Sequence, residues 1–253
     1  MAGKTKKNAT PELSVVVPVF NEAENIQPLV DEITAALDGV CDYEIVYCND
    51  GSSDDTPAKL KEARASQPRL RIITHEKSCG QSTAVRTGVK FARGAFVATL
   101  DGDGQNDPAD IPNLFKVLKE ADDPDFLIVA GWRKTRKDTE VKRWSSKIAN
   151  GVRSRLLGDA TPDTGCGLKL FTRAAFLDMA YFSHMHRFLP ALMIRRGGKV
   201  VSVEVNHRHR ERGVSKYGTW DRLKVGVVDL FGVRWLQKRA RVPVALEEGP
   251  DGG

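Results

Sequence analysis

VATLDGDGQNDPADI, residues 97–111, decides how the rest of the chain is read. An apolar run stops abruptly in Asp101, Asp103 and Asp107, with Gly102, Gly104, Gln105 and Asn106 among them. Residues two apart in an extended segment point the same way, so the Asp101 and Asp103 carboxylates can converge. Converging carboxylates repel unless a cation lies between them. Hard oxygen donors favour Mg2+ or Mn2+, which typically takes one or two carboxylates together with substrate phosphates. The alternating glycines let backbone and ligand approach closely. A calcium loop of the EF-hand type is excluded: counted from Asp101, the sixth position is Asn106 where glycine is needed, and the twelfth is Pro112 where glutamate is needed. Asp107, ahead of Pro108, is placed to cap the next helix. A turn alone would not require Asp101 and Asp103 at a strand end.

Outward from that stretch, strand-like and helix-like segments alternate. LSVVVPVF (13–20), YEIVYCND (43–50), LRIITHE (70–76), GAFVATLD (94–101) and FLIVAGW (126–132) read as strands. Between them, 22–38 carries Ile26, Leu29, Val30, Ile33 and Leu37 at helical spacing, and 55–66, 80–93 and 109–121 also read as helices. The order predicts an α/β fold with a mostly parallel sheet flanked by helices. Ligands of such sheets bind beyond the carboxyl ends of the strands. There the sequence places Asn21-Glu22, Asn49-Asp50-Gly51, Asp101-Gly102-Asp103 and Arg133. The second half is less regular. Residues 141–157 read as a helix, GLKLFT (167–172) and VVSVEVNH (200–207) as strands. Residues 219–239 read as an amphipathic helix with Trp220, Leu223, Val227, Leu230, Phe231 and Trp235 on one side.

A chain of 253 residues can bury a substantial core in one domain. Its formal charge of +6 is unevenly spread. Residues 132–155 hold nine Lys/Arg against two acids, and 206–241 hold ten against three, so the remainder is net acidic. That asymmetry implies an anionic partner: phosphates, nucleic acid or an anionic membrane face. Cys41, Cys48, Cys79 and Cys166 include no CxxC pair, which points to a reducing compartment without a zinc site or disulfide framework. At least three of the four read as small buried hydrophobes. No run of eighteen apolar residues exists, and MAGKTKKNATPE (1–12) does not resemble a signal peptide.

VVVPVFNEAENI (15–26), CNDGSSDDT (48–56), LDGDGQNDP (100–108) and TGCGLKLF (164–171) together resemble the inverting family 2 glycosyltransferases of the GT-A fold. HRFLPAL (186–192) and HRHRERGVSKYG (207–218) are similar to the polyprenyl-phosphate branch, which includes dolichol-phosphate mannosyltransferase. The resemblance covers about residues 13–240. It implies a basic disordered N-terminus (1–12), a GT-A domain (13–218), a juxtamembrane amphipathic helix (219–241) and a disordered tail (242–253). It implies that Pro18, Phe20, Glu22 and Asp50 line the nucleotide pocket. Asp101 and Asp103 occupy the DxD, so Asp103 and Gln105, supported by Asp101, would hold Mg2+ or Mn2+ on the diphosphate. Arg133 would hold an acceptor phosphate, with Arg143 or Arg153 as helpers. Arg208, Arg212, Ser215 and Lys216 would clamp the diphosphate, and Asp163 and His186 would face the donor sugar.

The acceptor follows from what is missing. A sugar hydroxyl needs a general base. Many family 2 enzymes supply it from a Glu-Asp pair on a helix after the core. The matching stretch here, 179–203, contains neither Asp nor Glu. A phosphate monoester is already anionic near neutral pH and needs no base. The expected reaction is transfer from a UDP- or GDP-sugar to a polyprenyl phosphate, with a hydroxyl acceptor such as a polysaccharide as the alternative. Arg133 and Lys216 would meet the charges that this brings together. A catalytically silent sugar-nucleotide-binding subunit is disfavoured by the intact DxD and basic motifs. Nucleic acid is not an expected partner, since the aromatics do not interleave with the basic runs. Tryptophans and cations on 219–239 suit an interfacial helix. The expected location is therefore the cytoplasmic face of the membrane, held peripherally or through a separate membrane subunit. A homo-oligomer is also admitted.

Overall fold

The computed structural model describes residues 10–134, 151, 153–208 and 219–243, without the side chains of 219–225. Its framework is one seven-stranded sheet in the order β3-β2-β1-β4-β6-β5-β7. The strands are β1 (Leu13–Val19), β2 (Tyr43–Asn49), β3 (Leu70–Thr74), β4 (Phe96–Thr99), β5 (Leu127–Trp132), β6 (Lys169–Thr172) and β7 (Lys199–Glu204). β1 lies between β2 and β4, parallel to both. Such a strand is covered on both faces, which is why its sequence is a continuous apolar run without alternation. The period of two survives in where the side chains go. Val15, Val17 and Val19 enter one core with Ile33 and Leu37 of α1 (Ile26–Leu37), Leu60 of α2 (Thr56–Ser66) and Leu114 and Leu118 of α4 (Ile111–Lys119). Val16 enters the opposite core with Val85 and Val89 of α3 (Gln81–Phe91) and with Phe176, Leu189 and Leu192.

The expected mostly parallel sheet is present. β5 does not lie beside β4; β6 sits between them, antiparallel to both. Burial explains the arrangement. All four residues of β6 are buried, with Leu170 facing one core and Phe171 the other. A strand buried on both faces takes an interior slot, whereas β7, partly exposed along its length, takes the edge beside β5. Most elements are shorter than their apolar runs: β3 stops at Thr74, β4 at Thr99 and β7 at Glu204, and α1 starts at Ile26. Of the helix expected over 141–157, the described residues, 151 and 153–157, are helical.

Two expectations need correction. Only Cys48 and Cys166 are buried; Cys41 is half-buried and Cys79 is exposed, and all four are free thiols. The C-terminal helix Thr219–Arg239 does not pack with the single stripe read from its sequence. Leu230, Val233 and Leu236 pack on the core, while Val227, Phe231 and Trp235 face outward beside Val228. Residues 230, 233 and 236–237 share one side of a 3.6-residue repeat, and 227, 231 and 235 share another. Gln237 donates to the Leu157 carbonyl at 2.8 Å, and Arg195 to that of Leu236 at 3.1 Å, which fixes the docked side. Trp220 and Leu223 lie outside the described side chains.

Candidate functional site

β1, β2, β3, β4, β5 and β7 all run in one direction, so their carboxyl ends share one rim. The polar residues expected there are there. The turn after β1 is tied to the turn after β2. Ser53 N–H donates to the Asn21 side chain at 2.8 Å, Asn21 N–H to the Ser52 hydroxyl at 2.9 Å and Glu22 N–H to the Thr56 hydroxyl at 2.9 Å. Glu22 also accepts from Asn25 at 2.8 Å. Pro18, Phe20 and Glu22 are half-buried along this edge.

Asp50 is buried and fully engaged. Oδ1 faces His75 Nδ1 at 2.7 Å and accepts the Cys79 N–H at 2.9 Å; Oδ2 accepts from the Ser78 hydroxyl at 2.7 Å and the Gly80 N–H at 2.9 Å. Burial alone would raise its pKa, but these donors outweigh it and hold the carboxyl below the usual range. The arrangement depends on Gly51. Its φ is +69°, and a Cβ there would lie 2.6 Å from the Lys77 carbonyl carbon.

At the acidic strand end, Asp107 caps the turn before α4, accepting the Ala109 N–H at 3.0 Å. Asp101 accepts from the Gln81 amide at 2.8 Å, and Asp103 from the Gln105 N–H at 3.1 Å. The Asp101 carboxylate rests directly on Gly167, where any Cβ would collide with it. Beneath lies Lys169, buried, donating to the Thr164 carbonyl at 3.2 Å and to that of Cys166. Burial pushes the Asp101 pKa up to about 6, reinforced by Asp103 and opposed by Lys169, Arg133 and the Gln81 bond.

The cationic side is organised differently from expectation. Arg133 and Asp163, read as contacts to two different substrates, form one buried ion pair. Arg133 Nε meets Asp163 Oδ2 at 2.6 Å, and Nη2 meets Oδ1 at 2.9 Å. Arg153 is also buried, with Nη2 donating to the Thr161 carbonyl at 2.7 Å and Nε 3.5 Å from Asp159. Arg208 pairs with Asp107 at 2.6 Å and Glu32 at 2.8 Å, and its N–H donates to the Gln105 carbonyl at 3.1 Å. It therefore ties the segment leading to residue 209 onto the acidic loop. Arg143, Arg212, Ser215 and Lys216 lie outside the described residues. His186 Nδ1 lies 2.7 Å from the Ser82 hydroxyl, which also accepts the His186 N–H at 3.2 Å. If that hydroxyl spends its one proton on Nδ1, the imidazole proton sits on Nε2. Burial lowers the His186 pKa to about 3, with Arg187 adding to the effect, so the ring stays neutral.

His75, Ser78, Gln81, Ser82, Gly167 and Lys169 carry the site without having been singled out in the sequence as side chains of it. The available signals were a lysine within an apolar strand, LKLF, and a Gly-Gln-Ser helix start.

The donor set at Asp101, Asp103 and Gln105 is all oxygen and fits a hard divalent ion. The raised Asp101 pKa marks carboxylate charge that nearby cations leave only partly compensated. A carboxyl held near 6 against 3.8 favours the fold while protonated. Its contribution is present at low pH and is lost as pH rises from about 4 to about 6, up to about 3 kcal/mol. Mn2+ should bind only the ionised form. The rise in Tm on adding Mn2+ should therefore be large at pH 7.5 and small at pH 5. Equal shifts at both pH values would contradict a site at Asp101.

Sequence comparison gives a match to the family described as glycosyl transferase family 2 over residues 14–179. Among curated proteins, the dodecaprenyl-phosphate galacturonate synthase of Rhizobium johnstonii is 37% identical over 235 residues, covering 90% of this chain and 68% of that one. The undecaprenyl-phosphate 4-deoxy-4-formamido-L-arabinose transferase of Edwardsiella ictaluri is 34% identical over 209 residues, covering 81% and 63%. The chain thus spans about two thirds of the length of these relatives. Among solved structures, glucosyl-3-phosphoglycerate synthase from Mycobacterium tuberculosis with Mg2+ and UDP superposes with TM-score 0.66 at 18% identity, covering 93% of this chain and 81% of that one. A mannosyltransferase from Pyrobaculum calidifontis with GDP-mannose and Mn2+ gives TM-score 0.65 at 19% identity, covering 93% and 67%. The fold is that of the GT-A glycosyltransferases.

Proposed function

Because this chain belongs to glycosyl transferase family 2, we propose that it transfers a sugar from a UDP- or GDP-sugar to a polyprenyl phosphate with inversion at the anomeric carbon, using Mg2+ or Mn2+. Both curated relatives named above carry a polyprenyl phosphate and a sugar in their names, one as a synthase and the other as a transferase. The observation that carries the acceptor is the composition of residues 179–203. The stretch has no carboxylate; of its two histidines, His186 has a conjugate acid near pKa 3, too acidic for a useful base, and His184 is engaged with Asp229 at 3.2 Å. A phosphate oxygen needs no base. It attacks the anomeric carbon as the bond to the nucleotide diphosphate breaks.

In this reading Pro18, Phe20, Glu22 and Asp50 line the nucleotide end of the rim. Asp103 and Gln105 hold the metal with Asp101 behind them. The bound ion would neutralise diphosphate charge and stabilise the leaving group. Lys216, with Arg212 and Ser215, covers the diphosphate. Arg208, paired with Asp107 and Glu32, joins them at the diphosphate. Arg133 presents its guanidinium to the acceptor phosphate while Asp163 holds it in place. The Nε2–H of neutral His186 donates to the donor sugar or its diphosphate. Among the described residues no helix is long and apolar enough to cross a membrane. Lipid access falls to the outward side of the C-terminal helix, where exposed Phe231 and Trp235 stand among Arg234, Lys238 and Arg239.

The test is mass spectrometry of lipid products after incubation with undecaprenyl phosphate and a panel of UDP- and GDP-sugars. One sugar mass added to the lipid phosphate is the expected result. Transfer to a hydroxyl acceptor, with none to the lipid phosphate, would overturn it. Replacing Phe231 and Trp235 together by Ser should weaken co-sedimentation with anionic vesicles by about tenfold or more, since each large apolar side chain contributes about 1.5–3 kcal/mol on leaving water. Unchanged co-sedimentation would remove the helix from the membrane contact.

A further inference from the structure

At the nucleotide end of the rim, the end of β2, the turn after β3 and the start of α3 bring together a carboxylate, an imidazole and a thiol. One ligand atom each from Asp50, His75 and Cys79 lies within 4.8 Å of the others. The surroundings orient them. Asp50 Oδ2 is fixed by Ser78 and Gly80, while Oδ1 accepts the Cys79 N–H at 2.9 Å and faces His75 Nδ1 at 2.7 Å. The other ring nitrogen, Nε2, meets the Thr87 hydroxyl at 2.9 Å and lies 3.8 Å from Cys48 Sγ. An outer hydrogen-bond partner of the Thr87 kind is what orients a metal-ligating histidine. The Cys79 thiol is exposed and makes only a 3.4 Å contact to the Lys77 carbonyl.

We propose that Asp50, His75 and Cys79 form a site for a thiophilic divalent cation of the Zn2+ type, and that its occupancy excludes the nucleotide. Tetrahedral zinc takes sulfur at about 2.3 Å and nitrogen or oxygen at about 2.0–2.2 Å, which sets ligand separations of about 3–4 Å. Rotation of the Cys79 side chain, with release to solvent of its thiol proton and of the proton between Asp50 and His75, brings the three atoms into that range. Three protein ligands leave a fourth position for water. The donor set differs from that at Asp101, Asp103 and Gln105. Sulfur and imidazole select zinc-like ions, whereas oxygens alone select Mg2+ or Mn2+. The two sites are joined through the backbone, since Gln81, two residues after Cys79, reaches Asp101. Exclusion of the nucleotide rests on the proposed function, in which Asp50 lines its pocket.

Co2+ is the probe for the full chain. A thiolate-to-cobalt charge-transfer band should appear with the wild type, be absent from Cys79→Ser and His75→Ala, and be displaced by Zn2+ but not by excess Mg2+. UDP or GDP should raise the apparent Kd for Co2+ at least tenfold. Cys79→Ser should keep its Mg2+-supported transfer and its Tm while losing zinc inhibition. A wild type without the band, or a Cys79→Ser protein that retains it, overturns the site. A band indifferent to both nucleotides overturns the exclusion. Failure of the glycosyl-transfer reading shows separately, as absence of lipid product with the cobalt band intact.

Discussion

Asp103→Ala should lower turnover on the order of 10³-fold at saturating Mn2+ while leaving the protein at least as stable as wild type. The two halves of this prediction come from one electrostatic fact. Without a cation, Asp103 raises the pKa of Asp101 by repulsion, second only to burial. Removing one of two repelling carboxylates relieves the metal-free fold, so its Tm at pH 7.5 should hold or rise slightly. The same removal takes away a principal oxygen donor for the ion that meets the leaving diphosphate. Losing one element of transition-state charge stabilisation commonly costs about 10²–10³-fold. Stability and activity thus move in opposite directions, as expected where a fold carries strain for function. Steady-state transfer and thermal melts on the same preparation decide it. Turnover within threefold of wild type would remove Asp103 from the metal site.

Substituting Arg133 should act through stability first. Its pair with Asp163 is buried and two-pronged, and breaking such a pair strands a charge at about 3–5 kcal/mol. Arg133→Met should therefore lower Tm by roughly 10 °C. Arg133→Lys should fall between, because an ammonium cannot reproduce the two-pronged geometry. A double variant separates structure from chemistry. Arg133→Met with Asp163→Leu removes both charges together, and well-packed apolar replacements of buried pairs are often neutral or stabilising. The double variant should recover most of the lost Tm and still fail to transfer sugar, with no rescue by higher acceptor concentration. If it transfers at the wild-type rate, Arg133 touches no acceptor and the pair is purely structural.

What the sequence alone determined was whatever is encoded locally. The unbroken apolar run of LSVVVPV required a strand covered on both faces, and its neighbours with helical spacing required flanking helices, so the α/β class and the rim followed. The LDGDGQNDP stretch announced its oxygen donors and its Asp107 cap because both depend on residues within a few positions of each other. The absence of acids in 179–203 is likewise a property of the string.

What only the tertiary structure decided depends on residues far apart in the chain. Arg133 and Asp163 each read as separate substrate contacts, because nothing in their spacing reveals that β5 and the turn before β6 bring them within 2.6 Å. Lys169 read as part of a strand, and only its burial beneath Gly167 and Asp101 shows it as the cation behind the acidic site. Asp50 read as part of the nucleotide pocket lining, and only the fold surrounds it with His75, Ser78, Cys79 and Gly80. In the C-terminal helix the apolar residues were correct but not their partition. Burial of Leu230 and exposure of Phe231 depend on where Gln237 and Arg195 dock the helix on its neighbours. Hydrophobic period and turn chemistry act over a few residues, whereas pairing of charges and choice of buried face are settled by long-range packing.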